Sequence, residues 1–158
     1  MADIGVALKT HLKTISDITG MVGTLSNARI YEDEAKQGVE TPYIVFEVFG
    51  GVSNEWINGV SGVNRNRVQI DCYGDTRSNA YTLAEYVRGY LQMYRGDLGG
   101  VFCNGITSNG TYTKGRDRPT KGSNALRHWF SRDFFITYTS STAYLDGVYG
   151  PAYADQYG

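Results

Sequence analysis

The side chains that could catalyse a reaction are few and lie far apart in this sequence. The only histidines are His11 and His128, and no GxSxG, HExxH or calcium-loop motif is present. Nucleophilic catalysis needs a nucleophile, a base and a group that orients the base, and metal sites need His, Cys or carboxylates at short spacings. The residues therefore predict no enzyme, no metal and no cofactor. A hydrolase that uses His128 with Asp133 or Asp71 is the enzymatic alternative.

One basic cluster could bind an acidic partner surface or nucleic acid. Its cations are Lys114, Arg116, Arg118 and Lys121, and four cations against one acid give this stretch a net charge of +3. Used as phosphate contacts, they give a salt slope of at most about −3.6, which is typical of weak, non-specific DNA binding. We predict that the cluster lies in a polar loop from Asn109 to Ala125, with a solvated loop as the alternative to a binding one.

The sequence ends in a segment rich in tyrosine. Residues 141–158 carry Tyr144, Tyr149, Tyr153 and Tyr157 and contain no Lys or Arg. Aromatic side chains with few charges are typical of protein interfaces. We predict a tail that follows a single domain of residues 1–140. It packs either on its own core or on a neighbouring subunit.

Composition indicates a single soluble domain with no preference for nucleic acid or membrane surfaces. The 158 residues carry a formal net charge of −1, with 20 glycines and 13 tyrosines but 3 prolines. This mixture suits β-strands joined by turns. Cys72 and Cys103 lie in apolar stretches and predict two buried thiols in a reduced compartment, with a disulfide as the alternative. The first residues do not resemble a signal peptide, and no apolar run is long enough to cross a bilayer.

Apolar periodicity predicts two helices. Ile4, Leu8, Leu12 and Ile15 lie on one face of a helix that begins after Asp3 and ends at Gly20. A second helix is predicted from about Thr76 to Tyr94. The apolar stripe of this second helix consists of Ala80, Leu83, Ala84, Val87 and Leu91.

The longest strand predictions rest on apolar runs and on alternation. Tyr43–Phe49 is apolar on both faces, which predicts cover on both sides by helices or by another subunit. Arg67–Tyr73 alternates between apolar and polar residues, as strands with one buried face do. Arg127–Tyr138 also alternates, but aromatic residues on both of its faces predict that both are at least partly covered. Shorter strands are predicted at Ala28–Tyr31 and Val101–Ile106.

The segment between the first two long strands is rich in glycine and asparagine. It runs from about Gly50 to Arg65 and carries Trp56, Ile57 and Val60, which are candidates for a subunit contact. A segment of this length predicts either a long β-hairpin arm or a mobile loop. The resulting order of elements is helix, three strands, helix, two strands. It predicts an α+β fold, in which a mainly antiparallel sheet carries two helices on one face.

This sequence resembles the tail-completion or tail-terminator proteins of long-tailed bacteriophages over roughly residues 4–138. The resemblance rests on an N-terminal helix followed by Arg29-Ile30-Tyr31, then Thr41-Pro42-Tyr43-Ile44-Val45-Phe46 and a spacer. It continues with Arg67-Val68-Gln69-Ile70-Asp71-Cys72-Tyr73-Gly74, which leads into the second helix. The chain departs from a minimal member in its long spacer, its basic loop and its tyrosine-rich tail.

The resemblance implies a structural virion protein of the tail or neck that assembles in the bacterial host cytoplasm. Such a subunit forms a ring with copies of itself, commonly a hexamer. The ring caps the tail tube, stops its polymerisation and joins it to the head or neck connector protein. DNA passes through the lumen as cargo, and no catalytic residue is implied. Another neck or connector protein built on a similar subunit, or a weak nucleic-acid-binding module using the basic loop 114–121, is the alternative.

Overall fold

The computed structural model describes residues 3–56, 59–117 and 127–139. The helices are α1 (Ile4–Leu12), α2 (Ser16–Val22) and α3 (Arg77–Leu91), with a short 3-10 turn at Leu25–Asn27. The strands are β1 (Ile30–Glu32), β2 (Tyr43–Val48), β3 (Val52–Trp56), β4 (Gly59–Gly74), β5 (Gly96–Leu98), β6 (Val101–Asp117) and β7 (Arg127–Thr139).

The strands form one curled sheet with the order β1-β2-β4-β7-β6-β5, and β3 pairs with the first part of β4. The pairing of β1 with β2 is parallel, and every other described pairing is antiparallel. The helices pack against this sheet, so the predicted α+β class is confirmed. Within the described ranges there are three α-helices, whereas the sequence predicted two.

The first predicted helix divides into α1 and α2. Asp3 caps α1, because its carboxylate accepts hydrogen bonds from the backbone amides of Gly5 and Val6. The chain then turns at Lys13 to Ile15, and Ile15 has the extended backbone of a helix N-cap. The prediction that Gly20 ends the helix is wrong: Gly20 lies inside α2. The end falls at Gly23, whose φ of +98° favours glycine.

Helix α3 follows its prediction closely, although it ends at Leu91 rather than near Tyr94. Thr76 caps it by accepting a hydrogen bond from the Asn79 amide. The five residues of its predicted stripe are buried: Ala80, Leu83, Ala84, Val87 and Leu91. The 3.6-residue period therefore identified the face that packs on the sheet.

The buried core lies between the helices and one face of the sheet, which we call the covered face. Its central side chains come from β2, β4 and β7 and are at most 2% exposed: Ile44, Phe46, Val68, Ile70, Cys72, Phe130, Phe134 and Ile136. Both cysteines are buried as free thiols, as predicted, and burial raises the pKa of the Cys72 thiol. No helix of the described chain is long and apolar enough to span a membrane.

The opposite side of the sheet, which we call the open face, is covered less completely. Along β2, Tyr43 is buried, Val45 is half-buried and Glu47 is exposed. The Tyr43 ring stacks on Tyr73 at 4.5 Å, and its hydroxyl accepts a hydrogen bond of 2.8 Å from Arg127. The cover predicted for the second side of β2 is therefore partial. Near Tyr43 it comes from side chains of neighbouring strands.

The glycine-rich spacer forms a β-hairpin, which confirms the arm rather than the loop among the two predictions. Strand β3 pairs with the beginning of β4, from Val52 opposite Arg65 to Trp56 opposite Gly59. Strand β7 begins to pair with β4 only at Val63, which lies opposite Thr139. The hairpin therefore projects beyond Thr139, the last residue of β7 that the structure describes.

The prediction of a polar loop from Asn109 is wrong as far as Asp117. Strand β6 continues through this stretch, and its residues Tyr112 to Asp117 pair with Arg132 to Arg127 of β7. Pairing with a long neighbouring strand supplies the backbone hydrogen bonds that a polar sequence would otherwise make with water. A register shift between Ser108 and Tyr112 accommodates the small residues there.

Candidate assembly surfaces

The predicted contact residues fall at two opposite ends of the sheet. Trp56 and Val60 lie in the hairpin arm, where Val60 is opposite Glu55 and Trp56 is opposite Gly59. The tyrosine-rich tail begins shortly after Thr139, which is aligned with Val63 at the base of the same arm. One end of the sheet thus holds the arm and the attachment point of the tail. Ile57 and the four tail tyrosines lie outside the described residues.

The basic candidates lie at the other end. Lys114 and Arg116 belong to β6 and pair with Phe130 and His128 of β7. Because paired residues of antiparallel strands point to the same side, all four side chains lie on the covered face. They lie near the N-terminal end of α3, beside Arg77. Arg118 and Lys121 lie outside the described residues.

A cavity of about 320 Å³ opens at this end, and we call it the basic pocket. Its lining consists of Arg77, Lys114, Gly115, Arg116, His128 and Phe130. Phe130 forms a buried floor, while the three cationic residues are exposed at the rim. No carboxylate belongs to the lining in the part of the chain that the structure describes.

Several interactions hold the basic pocket in shape. The guanidinium of Arg77, the first residue of α3, lies 5.7 Å from the centre of the Phe130 ring. Tyr81, one turn further along α3, meets the same ring edge-on at 5.5 Å. The floor is thus fixed by the packing of α3 on β7.

Sequence reasoning identified two of the cations but missed Arg77, His128 and Phe130 as their neighbours. One signal was present: Lys114 and Arg116 are two residues apart, which puts both on one face if the segment is a strand. Helix α3 packs on β7 through residues that are far apart in sequence. The pattern of residues 114–116 therefore does not predict this contact.

The open face carries cations stacked on aromatic rings. The Arg65 guanidinium lies 4.0 Å from the Phe135 ring, and that of Arg67 lies 4.7 Å from the Phe49 ring. Arg67 also donates to Asp133 across 2.8 Å. These arginine–aromatic stacks leave both charged and aromatic area on the open face of the sheet.

On the covered face, a second ionic cluster ties α3 to β7. Arg132 donates a hydrogen bond to Glu85, and Glu85 also accepts from Arg88 at 2.8 Å. The hydrogen bond from Arg88, and to a lesser degree the charges of both arginines, lower the pKa of Glu85 despite its partial burial. The carboxylate of Glu85 therefore links the helix to the strand.

The histidine-based alternative is incompatible with the sheet geometry. His128 lies on the covered face, whereas Asp71 and Asp133 lie on the open face, because Asp71 pairs with Ser131 and Gln69 pairs with Asp133. Asp71 instead accepts a hydrogen bond from Ser131. His11 packs against Tyr94 at 4.6 Å, and its partial burial lowers its pKa. His128 is therefore not paired with either aspartate that this alternative requires.

The fold and these surfaces define an α+β subunit with candidate contact sites at both ends of its sheet. A family model described as tail completion protein gp17 matches residues 6–131. The chain therefore belongs to this family of bacteriophage tail proteins and is a structural component of the virion tail, as the sequence predicted.

Similarity to solved structures supports the fold. A chain from the "virion of native gene transfer agent (GTA) particle" aligns with a TM-score of 0.61 and 15% identity, covering 88% of this chain and 96% of that one. A second solved structure aligns with a TM-score of 0.43 and 15% identity, over 89% of this chain and 98% of that one. No curated protein sequence gives a significant match.

Proposed function

We propose that the protein is a tail-terminator subunit that closes into a ring, caps the tail tube and joins it to the head or neck connector. Membership of the tail completion family carries this proposal. A hexameric ring is the expected form, with DNA as cargo in its lumen. The tail tube protein and the connector protein are its expected partners.

The distribution of candidate contacts supports a ring. In a cyclic assembly, one patch of each subunit meets a different patch of the next. Here the hairpin arm and the start of the tail lie at one end of the sheet, and the basic pocket lies at the other. A subunit with unlike patches at opposite ends suits head-to-tail contact.

The open face supplies a second candidate contact. Its half-buried residues Val45, Trp129 and Phe135 expose aromatic and aliphatic area. Interfaces favour aromatic residues with arginines at their margins, and Arg65 and Arg67 lie on this face. We propose that part of the open face contacts the next subunit in the ring.

Electron microscopy and mass measurement together test this function. The purified protein is mixed with tail tubes that lack a terminator, and the tubes are imaged for a ring at one end. Mass photometry of the protein alone, and of the protein with tubes, gives the number of subunits. Rings at the head-proximal end, with tubes that stop elongating, are the expected result.

Two results would count against the proposal. A protein that never joins a tube end, although the tubes remain competent for elongation, is not a terminator. A protein that is found elsewhere in the neck is the connector that we named as the alternative. A monomer in isolation that becomes a ring on the tube is compatible with the proposal, since some rings close only on their partner.

A further inference from the structure

The basic pocket concentrates positive charge around an apolar floor. Arg77, Lys114 and Arg116 are exposed at its rim, and Phe130 is 2% exposed at its base. Within residues 3–56, 59–117 and 127–139, the structure shows no salt bridge to any of these three cations. A volume of about 320 Å³ lies at the small end of the range for pockets that bind a ligand or a few side chains.

Charge and shape together define what this pocket would bind. Three cations at the rim favour a carboxylate or phosphate, and a buried aromatic floor favours a ring or aliphatic group beside that anion. The first turn of α3 contains no acidic residue. Thr76 caps the Asn79 amide, and Asp75 binds the Asn79 side chain just before the helix, so the cations of the rim supply the positive charge at this end of the sheet. The matching chemistry is an acidic side chain next to an aromatic one.

Residues 140–158 of this chain have that chemistry. They contain Asp146 and Asp155 and no Lys, Arg or His. Each aspartate lies two residues from a tyrosine: Asp146 follows Tyr144, and Asp155 lies between Tyr153 and Tyr157. The tail is thus acidic and aromatic where the basic pocket is cationic and has an aromatic floor.

The position of the tail attachment separates it from its own pocket. Strand β7 runs from His128 at the pocket to Thr139 near the start of the tail. Eleven steps of about 3.3 Å make this separation about 36 Å. Asp146 lies seven residues beyond Thr139 and reaches at most about 25 Å even in a fully extended chain. Asp146 would need a fully extended chain and extended side chains to approach the pocket of its own subunit, whereas Asp155, sixteen residues beyond Thr139, spans up to about 58 Å. A head-to-tail neighbour brings a pocket to the tail end of the sheet without that extension.

We propose that the tail of one subunit, residues 140–158, occupies the basic pocket of the next subunit in the ring. The aspartates pair with Lys114, Arg116 and Arg77, and a neighbouring tyrosine ring packs against the aliphatic stems of these side chains. This contact is heterologous, because it joins the tail end of one sheet to the pocket end of another. The inference rests on the proposed ring.

Nucleic acid fits the pocket less well. Three phosphate contacts would give a salt slope of about −2.7, which corresponds to weak binding that does not depend on sequence. A duplex backbone is tracked by cations along a groove or ridge, whereas these cations surround one concave site. The aromatic floor has no role in contacting a phosphate.

Charge reversal and charge exchange test the contact. The variants are Asp146→Lys with Asp155→Lys, Lys114→Glu with Arg116→Glu, and all four together. Subunit association is measured by analytical ultracentrifugation or mass photometry at low and high salt, with tail tubes present if the ring needs them. Each double variant is expected to weaken association about tenfold or more at low salt, and the fourfold variant to recover most of that loss.

Matched controls separate this contact from folding and from general charge effects. Glu34→Lys with Glu40→Lys reverses two exposed charges in the loop before β2 and should leave association unchanged. Circular dichroism melting of each variant shows whether the subunit still folds. Asp146→Asn with Asp155→Asn, which removes the charges without reversing them, keeps the test informative if a lysine variant misfolds.

Disulfide trapping shows which copy supplies the tail. Lys114→Cys and Asp155→Cys are made in separate proteins, which are then mixed and oxidised. The native Cys72 and Cys103 are buried, so they should not react. A cross-linked dimer from the mixture is the expected result. A cross-link that forms only within a double variant of one chain would show that the tail folds back on its own subunit and would overturn the proposal.

The outcomes also separate this inference from the ring itself. If the wild-type protein forms no ring on tail tubes, the proposed function fails. If rings form normally in all charge variants and in a protein truncated after Ser140, the ring stands and the tail contact is wrong. If association is unchanged but Lys114→Glu with Arg116→Glu abolishes salt-sensitive DNA binding, the pocket serves nucleic acid and the tail contact is again wrong.

Discussion

The two faces of the sheet differ in what covers them, and the difference shows which face forms the core of the subunit. The covered face meets three helices, and its side chains Phe46, Val68 and Ile70 are fully buried. The open face presents Val45, Phe135 and Trp129 half-buried, mixed with ion pairs and stacked arginines. The subunit thus buries one face for its own stability and leaves the other partly exposed.

The largest effect should come from Phe46, which lies on the covered face of β2. Phe46→Ala removes a fully buried ring and should lower the free energy of unfolding by about 3–5 kcal/mol. Val45→Ala, one residue away on the open face, should cost about 1 kcal/mol or less in the isolated subunit. Urea unfolding monitored by circular dichroism measures both. Equal losses would show that both faces are core.

Gly115 tests how closely side chains pack on the open face beside Trp129. A Cβ at this position would lie 2.2 Å from the Trp129 ring, so Gly115→Ala must displace the indole. We expect a loss of about 1–3 kcal/mol and a shift in tryptophan fluorescence. Gly105→Ala on the same strand is the control, since nothing lies within 4 Å of its Cβ position. If both variants behave alike, Trp129 does not pack on Gly115.

Two ion pairs between elements in the described part of the chain, one on each face, allow a direct comparison of the faces. Arg132 and Glu85 on the covered face have side chains that are 16% and 27% exposed, whereas Arg67 and Asp133 on the open face are 41% and 14% exposed. Double-mutant cycles with alanine should give a coupling of about 1–2 kcal/mol for Arg132–Glu85. For Arg67–Asp133 we expect less than about 1 kcal/mol, because solvent screens that pair more strongly. A larger coupling for Arg67–Asp133 than for Arg132–Glu85 would show that solvent does not weaken the open-face pair more.

The smallest effect should be a dependence of stability on acidic pH. The pKa of Glu85 is lowered in the folded protein, mainly by its hydrogen bond from Arg88. Its stabilising contribution is therefore present above the ordinary carboxyl pKa of about 4.3 and is lost as the pH falls through the lowered value. Glu85→Gln should flatten the loss of stability below pH 4.3 by a few tenths of a kcal/mol. Unfolding midpoints at pH 3 and pH 7 measure this change, and an unaltered slope would contradict it.

Much of the fold followed from local patterns. The stripe of α3 and the alternation of Arg67–Tyr73 identified the buried sides, because each element repeats its apolar residues at its own geometric period. Aromatic residues on both faces of Arg127–Tyr138 predicted partial cover on both, and most of its side chains are buried or half-buried. The end of the first predicted helix did not follow, since Gly20 lies inside α2 without breaking it. Strand β6 was predicted too short, because its second half is polar and depends on β7 for its pairing.

The candidate sites were found only in part. Lys114 and Arg116 were identified by their charge, but as members of a loop. Arg77 and Phe130 joined them only when α3 was placed over β7, which is a contact between residues far apart in sequence. The hairpin arm around Trp56 was one of two interpretations of a glycine-rich spacer. Its pairing with Gly59 distinguishes them.

The sequence by itself determined the class of fold and the family. It set which residues are apolar at helical and strand periods, and it contained the motif blocks around Tyr43 and Arg67 that mark a tail completion protein. The tertiary structure alone decided which candidate residues lie together. Strand register placed the arm and the start of the tail at one end of the sheet and the basic pocket at the other, about 36 Å away by strand geometry. The hydrophobic pattern of a strand sets which of its faces is buried, but the choice of the distant strand that it pairs with depends on contacts that form only in the fold.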